Sequence, residues 1–370
     1  MTELDEILLA EIRARGPLPF DRYMELCLYH PDLGYYARGP ERSGRRGDYV
    51  TSPELDPGFG RLWANSFEDT WASAGRPDRF AIVEIGPGEG GFAASVVTAA
   101  DGAFRAALEY ILVEPLPALE ARQRERLDGD PYRWVDDIDA VEPVAAGVVF
   151  ANEILDNVPV ALIEGTSGDP VEVGVATGDG AFVEVTGAPR PEVLEFAKRF
   201  GIEPPPGFRA EVPLAAENLV ASAARAIGRG AVHLIDYGHT TPDLLQRPGG
   251  TLLCYSERGA DAALLETPGD KDITAHANWD VVAAALSRAG MYVEGPVPQR
   301  DVLEALGASD LFDELRQQER GASAAGRGRD AIRAISRRSA LSVLTAAHGL
   351  GALDVMTGTK GTAPPAWARE

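Results

Sequence analysis

The sequence predicts an α/β fold: a Rossmann-like doubly wound sheet with an N-terminal helical cap and an inserted α+β subdomain. Three observations predict it. The stretch from Phe80 to Ala94 reads F-A-I-V-E-I-G-P-G-E-G-G-F-A-A, an apolar run that breaks on glycines and passes into small helix formers. Further apolar runs follow at 110–113, 132–135, 147–150 and 231–236, with helical segments among them. From 160 to 212 the pattern changes to short alternating runs between Gly-, Asp- and Pro-rich turns, which reads as a small antiparallel sheet.

Taken in order, residues 1–15 carry Leu4, Ile7, Leu8 and Ile12 at helical spacing, and Gly16 and Pro17 end the helix. A second helix is expected over 20–28. Pro and Gly punctuate 30–37 and 47–54, so these are read as a long functional loop, ordered by Tyr35, Tyr36 and Tyr49. Its polar residues Asp48, Thr51, Ser52 and Glu54 can face a ligand; Thr51 or Ser52 capping the next helix is the competing reading. That helix holds Phe59, Leu62, Trp63, Phe67 and Trp71.

Residues Gly86, Gly88 and Gly91 satisfy G-x-G-x-x-G, a dinucleotide fingerprint that is weak alone. Glycines at such a turn let the backbone approach a ligand, and the helix start offers free N–H groups. Glu84 makes the string E-x-G-x-G-x-G, through Gly86, Gly88 and Gly90, which resembles the S-adenosylmethionine corner of class I methyltransferases. There the acid holds the cofactor ammonium and the turn, with Pro87, passes its amino-acid end. Glu114, followed by Pro115, ends the second strand and suits ribose hydroxyls, a device that NAD proteins share. Asp136 and Asp137 end the third strand, at the adenine in this class or as exposed turn acids. The cofactor expected is S-adenosyl-L-methionine; an NAD(P)-dependent oxidoreductase is a rival.

The fourth strand runs into A-N-E-I-L-D-N-V-P, residues 151–159. Ligands bind beyond the carboxyl ends of strands in doubly wound sheets, so Asn152, Glu153 and Asp156 belong beside the transferred methyl. Methyl transfer needs an oriented nucleophile and, for some acceptors, a base. Glu153 and Asp156 suit a guanidinium, which pairs with carboxylates in its plane. His239, in D-Y-G-H, is a candidate base or substrate contact, and Thr274 and His276 border the cleft.

Composition bounds the rest. A net charge of -22 argues against a nucleic-acid surface. Cys27 and Cys254 form no metal or redox motif, and the five histidines give no ligand spacing, so no metal is expected. No signal segment or membrane-length apolar run is found, and a cytoplasmic, membrane-free protein is expected. Residues 303–338 are rich in arginine and read as a solvated helix face or a basic rim for an acidic substrate, with a mobile loop at 321–328. Residues 341–346 and 353–356 are expected as the last antiparallel strands, with a fraying tail from 357.

The strings G-D-Y-V-T-S-P-E, E-I-G-P-G-E-G, V-F-A-N-E-I-L-D-N-V-P, L-I-D-Y-G-H, D-I-T-A-H and V-P-Q-R-D-V-L-E-A-L-G occur in this order. Together they resemble the MidA-like family of S-adenosylmethionine-dependent methyltransferases, over most of the chain. The resemblance implies a class I methyltransferase fold and a cofactor covered by the 47–54 loop, including Asp48, Tyr49, Thr51, Ser52 and Pro53. It implies as acceptor a protein or peptide arginine, as linked to the family's mitochondrial complex I assembly factor; a small metabolite with a nitrogen or oxygen nucleophile is the other candidate. A binding or assembly protein with little catalysis is a further alternative. The expected units are 1–78 (cap and covering loop), 79–159 (core, first part), 160–213 (insertion forming a substrate wall), 214–356 (core, second part) and 357–370 (flexible tail). Oligomeric state is not readable.

Titration calorimetry tests this reading. S-adenosylmethionine or S-adenosylhomocysteine should bind at micromolar level while NADH does not. Gly88→Val should weaken that binding by about 100-fold or more, roughly 2.8 kcal/mol. Binding of NADH alone would overturn the cofactor assignment.

Overall fold

A computed structural model describes residues 2–38 and 51–368. Seven strands form the central sheet: β1 (Phe80–Ile85), β2 (Leu108–Val113), β3 (Tyr132–Val135), β4 (Val144–Asn152), β5 (Ile227–Asp236), β6 (Tyr292–Pro298) and β7 (Asp354–Lys360). Their spatial order is β6-β7-β5-β4-β1-β2-β3. Pairing is parallel from β5 through β3, whereas β7 runs antiparallel to both β5 and β6. The α/β architecture is therefore as expected, with a mixed sheet.

The apolar runs are continuous because both faces are covered. Alternate residues serve opposite cores. Ile82, Tyr110, Val148 and Phe150 pack with Phe59, Trp63, Phe67 and Phe92 on one side. Val83, Ile111, Val149 and Ala151 pack with Val220, Trp279 and Leu286 on the other. The helix after β1, Gly91–Ala99, buries Phe92, Ala93 and Val96 in the first core. The helix Leu214–Arg225, which leads into β5, buries Val220, Ala223 and Ala224 in the second. Strand order reverses between the parallel neighbours β1 and β4, which opens a crevice at their carboxyl ends.

A second lobe stands over that crevice. Its five-stranded sheet contains Ala161–Glu164, Val171–Gly178, Ala181–Gly187 and Arg209–Val212, within the stretch read from sequence as a small antiparallel sheet. The fifth strand, Leu18–Pro19, comes from the N-terminal segment and pairs antiparallel with Val171–Gly178. Helices Glu3–Arg15 and Phe20–Tyr29 bury Leu4, Leu8, Phe20 and Met24 against Leu162, Val173 and Val175 in one core. The cap and the insertion are therefore one packed body, a correction to their division at 1–78 and 160–213. The helix Gly58–Ser73 belongs instead to the central core.

Three C-terminal expectations are corrected. Most of 341–346 lies in the helix Gly328–Leu344, because its buried residues Ala331, Ala334, Leu341 and Leu344 recur at helical spacing. The expected mobile loop at 321–328 shrinks to the residues joining this helix to Ala308–Ala324. The expected tail from 357 continues β7: Thr357 and Thr359 are buried, and His233 Nδ1 lies 2.8 Å from Thr357 Oγ1. Thr-Gly-Thr lacks an apolar signature, so hydrogen bonding rather than hydrophobicity seats this part of the strand. Among the described residues no helix is long and apolar enough to cross a membrane.

Because β7 lies between β5 and β6, truncation after Met356 should prevent native folding. The expected readout is loss of a cooperative thermal transition; a truncated chain with unchanged melting would contradict the role assigned to this strand.

Candidate active site

The crevice is a cavity of about 760 Å³, within the range of small-molecule sites. Its floor is the turn after β1. Gly86, Gly88 and Gly90 have φ of 65°, 53° and 76°, the left-handed region that favours glycine. The positive φ favours glycine at Gly86, and a Cβ there would also lie 2.1 Å from Cδ1 of Ile154, displacing the end of that side chain. A Cβ on Gly88 would meet no atom of the described residues within 4 Å, so the turn presents open backbone to the cavity it lines.

Glu84, Pro87, Glu114 and Pro115 line this end with the turn. Glu84 is 4% exposed and accepts a hydrogen bond from Tyr110 Oη at 2.7 Å. Burial pushes its carboxyl up to about 8 despite that bond; a nearby ammonium would favour the charged form. Glu114 accepts from Leu116 N at 2.9 Å and from Gln123 Nε2 at 3.0 Å, and burial raises it to about 7. Gln123 also donates to Gly88 O at 2.8 Å, and Trp134 Nε1 donates to Gln123 Oε1 at 3.0 Å. It thus ties Glu114 to the glycine turn. Gln123 lies on the helix Pro117–Arg126, where only its lack of charge among charged neighbours marked it.

At the other end, Asn152, Glu153 and Asp156 line the cavity together, as do Thr51 and Pro53. Glu153 has φ of 53°, rare for a non-glycine residue. Its N–H donates to Ile235 O, and its Oε1 accepts from Asn152 Nδ2 at 2.8 Å and Ser52 N at 3.3 Å. Behind it, fully buried Asp236 at the end of β5 accepts from the N–H groups of Tyr237 and Asp156. Burial first, and then the Asp236 charge, pushes Glu153 up to about 8. The same causes, with Asp272, hold Asp156 well above the usual carboxylate range. Asn152 Oδ1 and Asp156 Oδ1 are buried without a hydrogen-bond partner among the described residues.

Sequence reasoning missed the walls. Tyr29 and Tyr36 stack with centroids 5.5 Å apart. Tyr36 Oη donates to Asp272 at 3.0 Å, Asn157 Nδ2 donates to the same carboxylate at 2.9 Å, and Tyr29 Oη donates to Asn157 O at 3.2 Å. Tyr237 and Tyr255 complete an aromatic and acidic pocket. Only the repeated tyrosines and the D-I-T-A-H string hinted at it.

Other expected residues lie elsewhere. Gly90 is the helix N-cap behind the turn, and Ser52 is buried outside the lining, reaching the site only through its N–H to Glu153. Asp136 is exposed and Asp137 caps the turn Ile138–Ala140 by accepting from Asp139 N at 2.8 Å, so neither reaches the cavity. His239 is also outside: Arg247 Nη2 donates to its Nε2 at 2.8 Å, and its ring stacks 5.1 Å from His276, which does line the cavity with Thr274. Asp48 and Tyr49 lie outside the described residues.

Comparison with known proteins accords with this geometry. A family model described as "Putative S-adenosyl-L-methionine-dependent methyltransferase" matches residues 62–297. A crystal structure of a COG1565 superfamily member from Burkholderia thailandensis, bound to S-adenosyl-homocysteine, is 31% identical with a TM-score of 0.86; the match covers 99% of this chain and 94% of that one. The mitochondrial protein arginine methyltransferase NDUFAF7 of Xenopus tropicalis is 27% identical, over 81% of this chain and 74% of its own. The Drosophila melanogaster homologue is 28% identical, over 83% and 76%. The cofactor is therefore S-adenosyl-L-methionine, not NAD(P), and the chain belongs to the MidA-like family of S-adenosyl-L-methionine-dependent methyltransferases.

Proposed function

We propose that the methyl acceptor is the guanidinium of an arginine in a protein or peptide. The observation that carries this reading is the set of buried carboxylates at the acceptor end, with Asp156 Oδ1 unpartnered among the described residues. Glu84, Gly88 and Glu114 hold the cofactor, which supplies an electrophilic methyl group when bound. Glu153 and Asp156 hold the guanidinium through charge-assisted hydrogen bonds and keep one nitrogen directed at the glycine-turn end. A cation between them favours their ionised forms, which burial alone opposes. Asp156 Oδ1 takes the proton that the alkylated nitrogen loses. The rings of Tyr29, Tyr36, Tyr237 and Tyr255 exclude water and offer π faces to a cation. The names of the mitochondrial relatives support the same acceptor class.

Transfer of labelled methyl groups to arginine peptides, followed by acid hydrolysis and separation of methylarginines, tests the acceptor. Methylation confined to small amines or hydroxyl compounds would overturn it. Asp156→Asn should lower turnover by about 100-fold or more, with S-adenosylhomocysteine affinity within about tenfold, or 1.4 kcal/mol.

Glu153 also sets a pH dependence. Its carboxyl titrates at about 8 in the folded chain against its usual 4.5. The folded state therefore holds a proton that the unfolded state has shed between those values, and stability falls as pH rises through that window. Glu153→Gln should flatten this fall in melting temperature between about pH 5 and 8; an unchanged slope would show that Glu153 is not proton-linked to folding.

A further inference from the structure

Residues 316–338 hold seven arginines against Glu319 and Asp330, a net +5 in a chain of net -22. The fold puts them on the hairpin of helices Ala308–Ala324 and Gly328–Leu344. Some are engaged: Arg337 pairs with buried Asp56 at 2.9 Å, Arg338 with Glu319 and Arg327 with Asp330. Arg329 and Arg333 are exposed and make no ion pair among the described residues.

Beside them the second helix exposes an apolar stripe. Ile332 is 65% exposed, Ile335 40% and Val343 45%. With Ser336 and Ser339 they recur at the spacing of one helix face. Leu55, Ile335, Ser336, Ser339, Ala340 and Val343 line a groove of about 330 Å³. Leu55 ends the short helix Ser52–Leu55, and Pro53 and Glu54 of the same helix line the active cavity. One helical turn therefore separates the groove from the site.

We propose that this groove docks an amphipathic helix of a partner polypeptide, apolar on the docking face and acidic on its flanks. Large apolar side chains on a helix are the anchors of helix-in-groove recognition, and Ser336, Ser339 and Ala340 leave room for close approach. Arg329 and Arg333 complement acidic flanks. The negative charge of the rest of the chain repels an acidic segment elsewhere, which favours this patch. A second copy of the hairpin would set arginine against arginine. The proposal stands apart from the identity of the methyl acceptor.

The probe is a fluorescein-labelled helical peptide of about 18 residues, with Leu at i, i+3, i+4 and i+7 spacing and Glu elsewhere, read by fluorescence anisotropy on the full chain. A counterpart carries Lys for Glu. The acidic peptide should bind at on the order of 10 μM, at least tenfold tighter than its counterpart. Ile335→Asp with Val343→Asp, and separately Arg329→Glu with Arg333→Glu, should each weaken it at least tenfold. Unchanged S-adenosylhomocysteine binding in both variants would show an intact fold. Failure of the acidic peptide to bind, equal binding of both peptides, or binding indifferent to both variants would overturn the proposal. So would light scattering that shows a dimer broken by the Ile335→Asp, Val343→Asp variant, which would assign the face to a second copy. A failed probe with intact cofactor binding leaves the methyltransferase reading standing.

Discussion

The cavity end beyond β4 depends on one buried carboxylate that does not face the cavity. Asp236 closes β5 and accepts backbone N–H groups from its own neighbour and from Asp156. Those bonds fix the turn from which Glu153, Asp156 and Asn157 project, and its charge bears on Glu153 and Asp156. The same side chain therefore shapes the site and makes it electrostatically uncomfortable. Order at this turn is obtained at the cost of carboxylates that resist ionising, a cost that the cation of the proposed acceptor would offset.

The cofactor end follows a related logic. Glu84 and Glu114 are both raised by burial, yet each has its orientation set by a neutral donor: Tyr110 for the first, Gln123 and the Leu116 N–H for the second. Neutral donors aim an acid without satisfying its charge. The adjacency of β1 and β4 brings both ends of the cavity within one crevice.

The central strands, the glycine turn, the acids Glu84 and Glu114, and the trio after β4 were legible because each is local: a run, a break and a strand end. What escaped depends on distant pairing. Asp272 is an ordinary strand residue until Tyr36 and Asn157 bond to it from far along the chain. Gln123 is marked by no motif. His239 and Asp137 have the right chemistry at the right strand ends, but local partners, Arg247 and the turn at 138–140, claim them. Residues 357–360 carry no apolar run, so the start of β7 was legible at 353–356 while its second half lay in an apparent tail.

The shared core of the second lobe has an evolutionary consequence. Tyr29, Tyr36, Tyr255 and Asp272 come from separate stretches, yet together they line one pocket. No residue of the 160–213 insertion, expected as a substrate wall, lines it, and strands of that insertion instead pack behind Tyr29 and Tyr36 in the shared core. No contiguous graft from a relative transplants that lining intact. Changing the selectivity of such a pocket, in evolution as in design, calls instead for scattered replacements that keep the interleaved core packed.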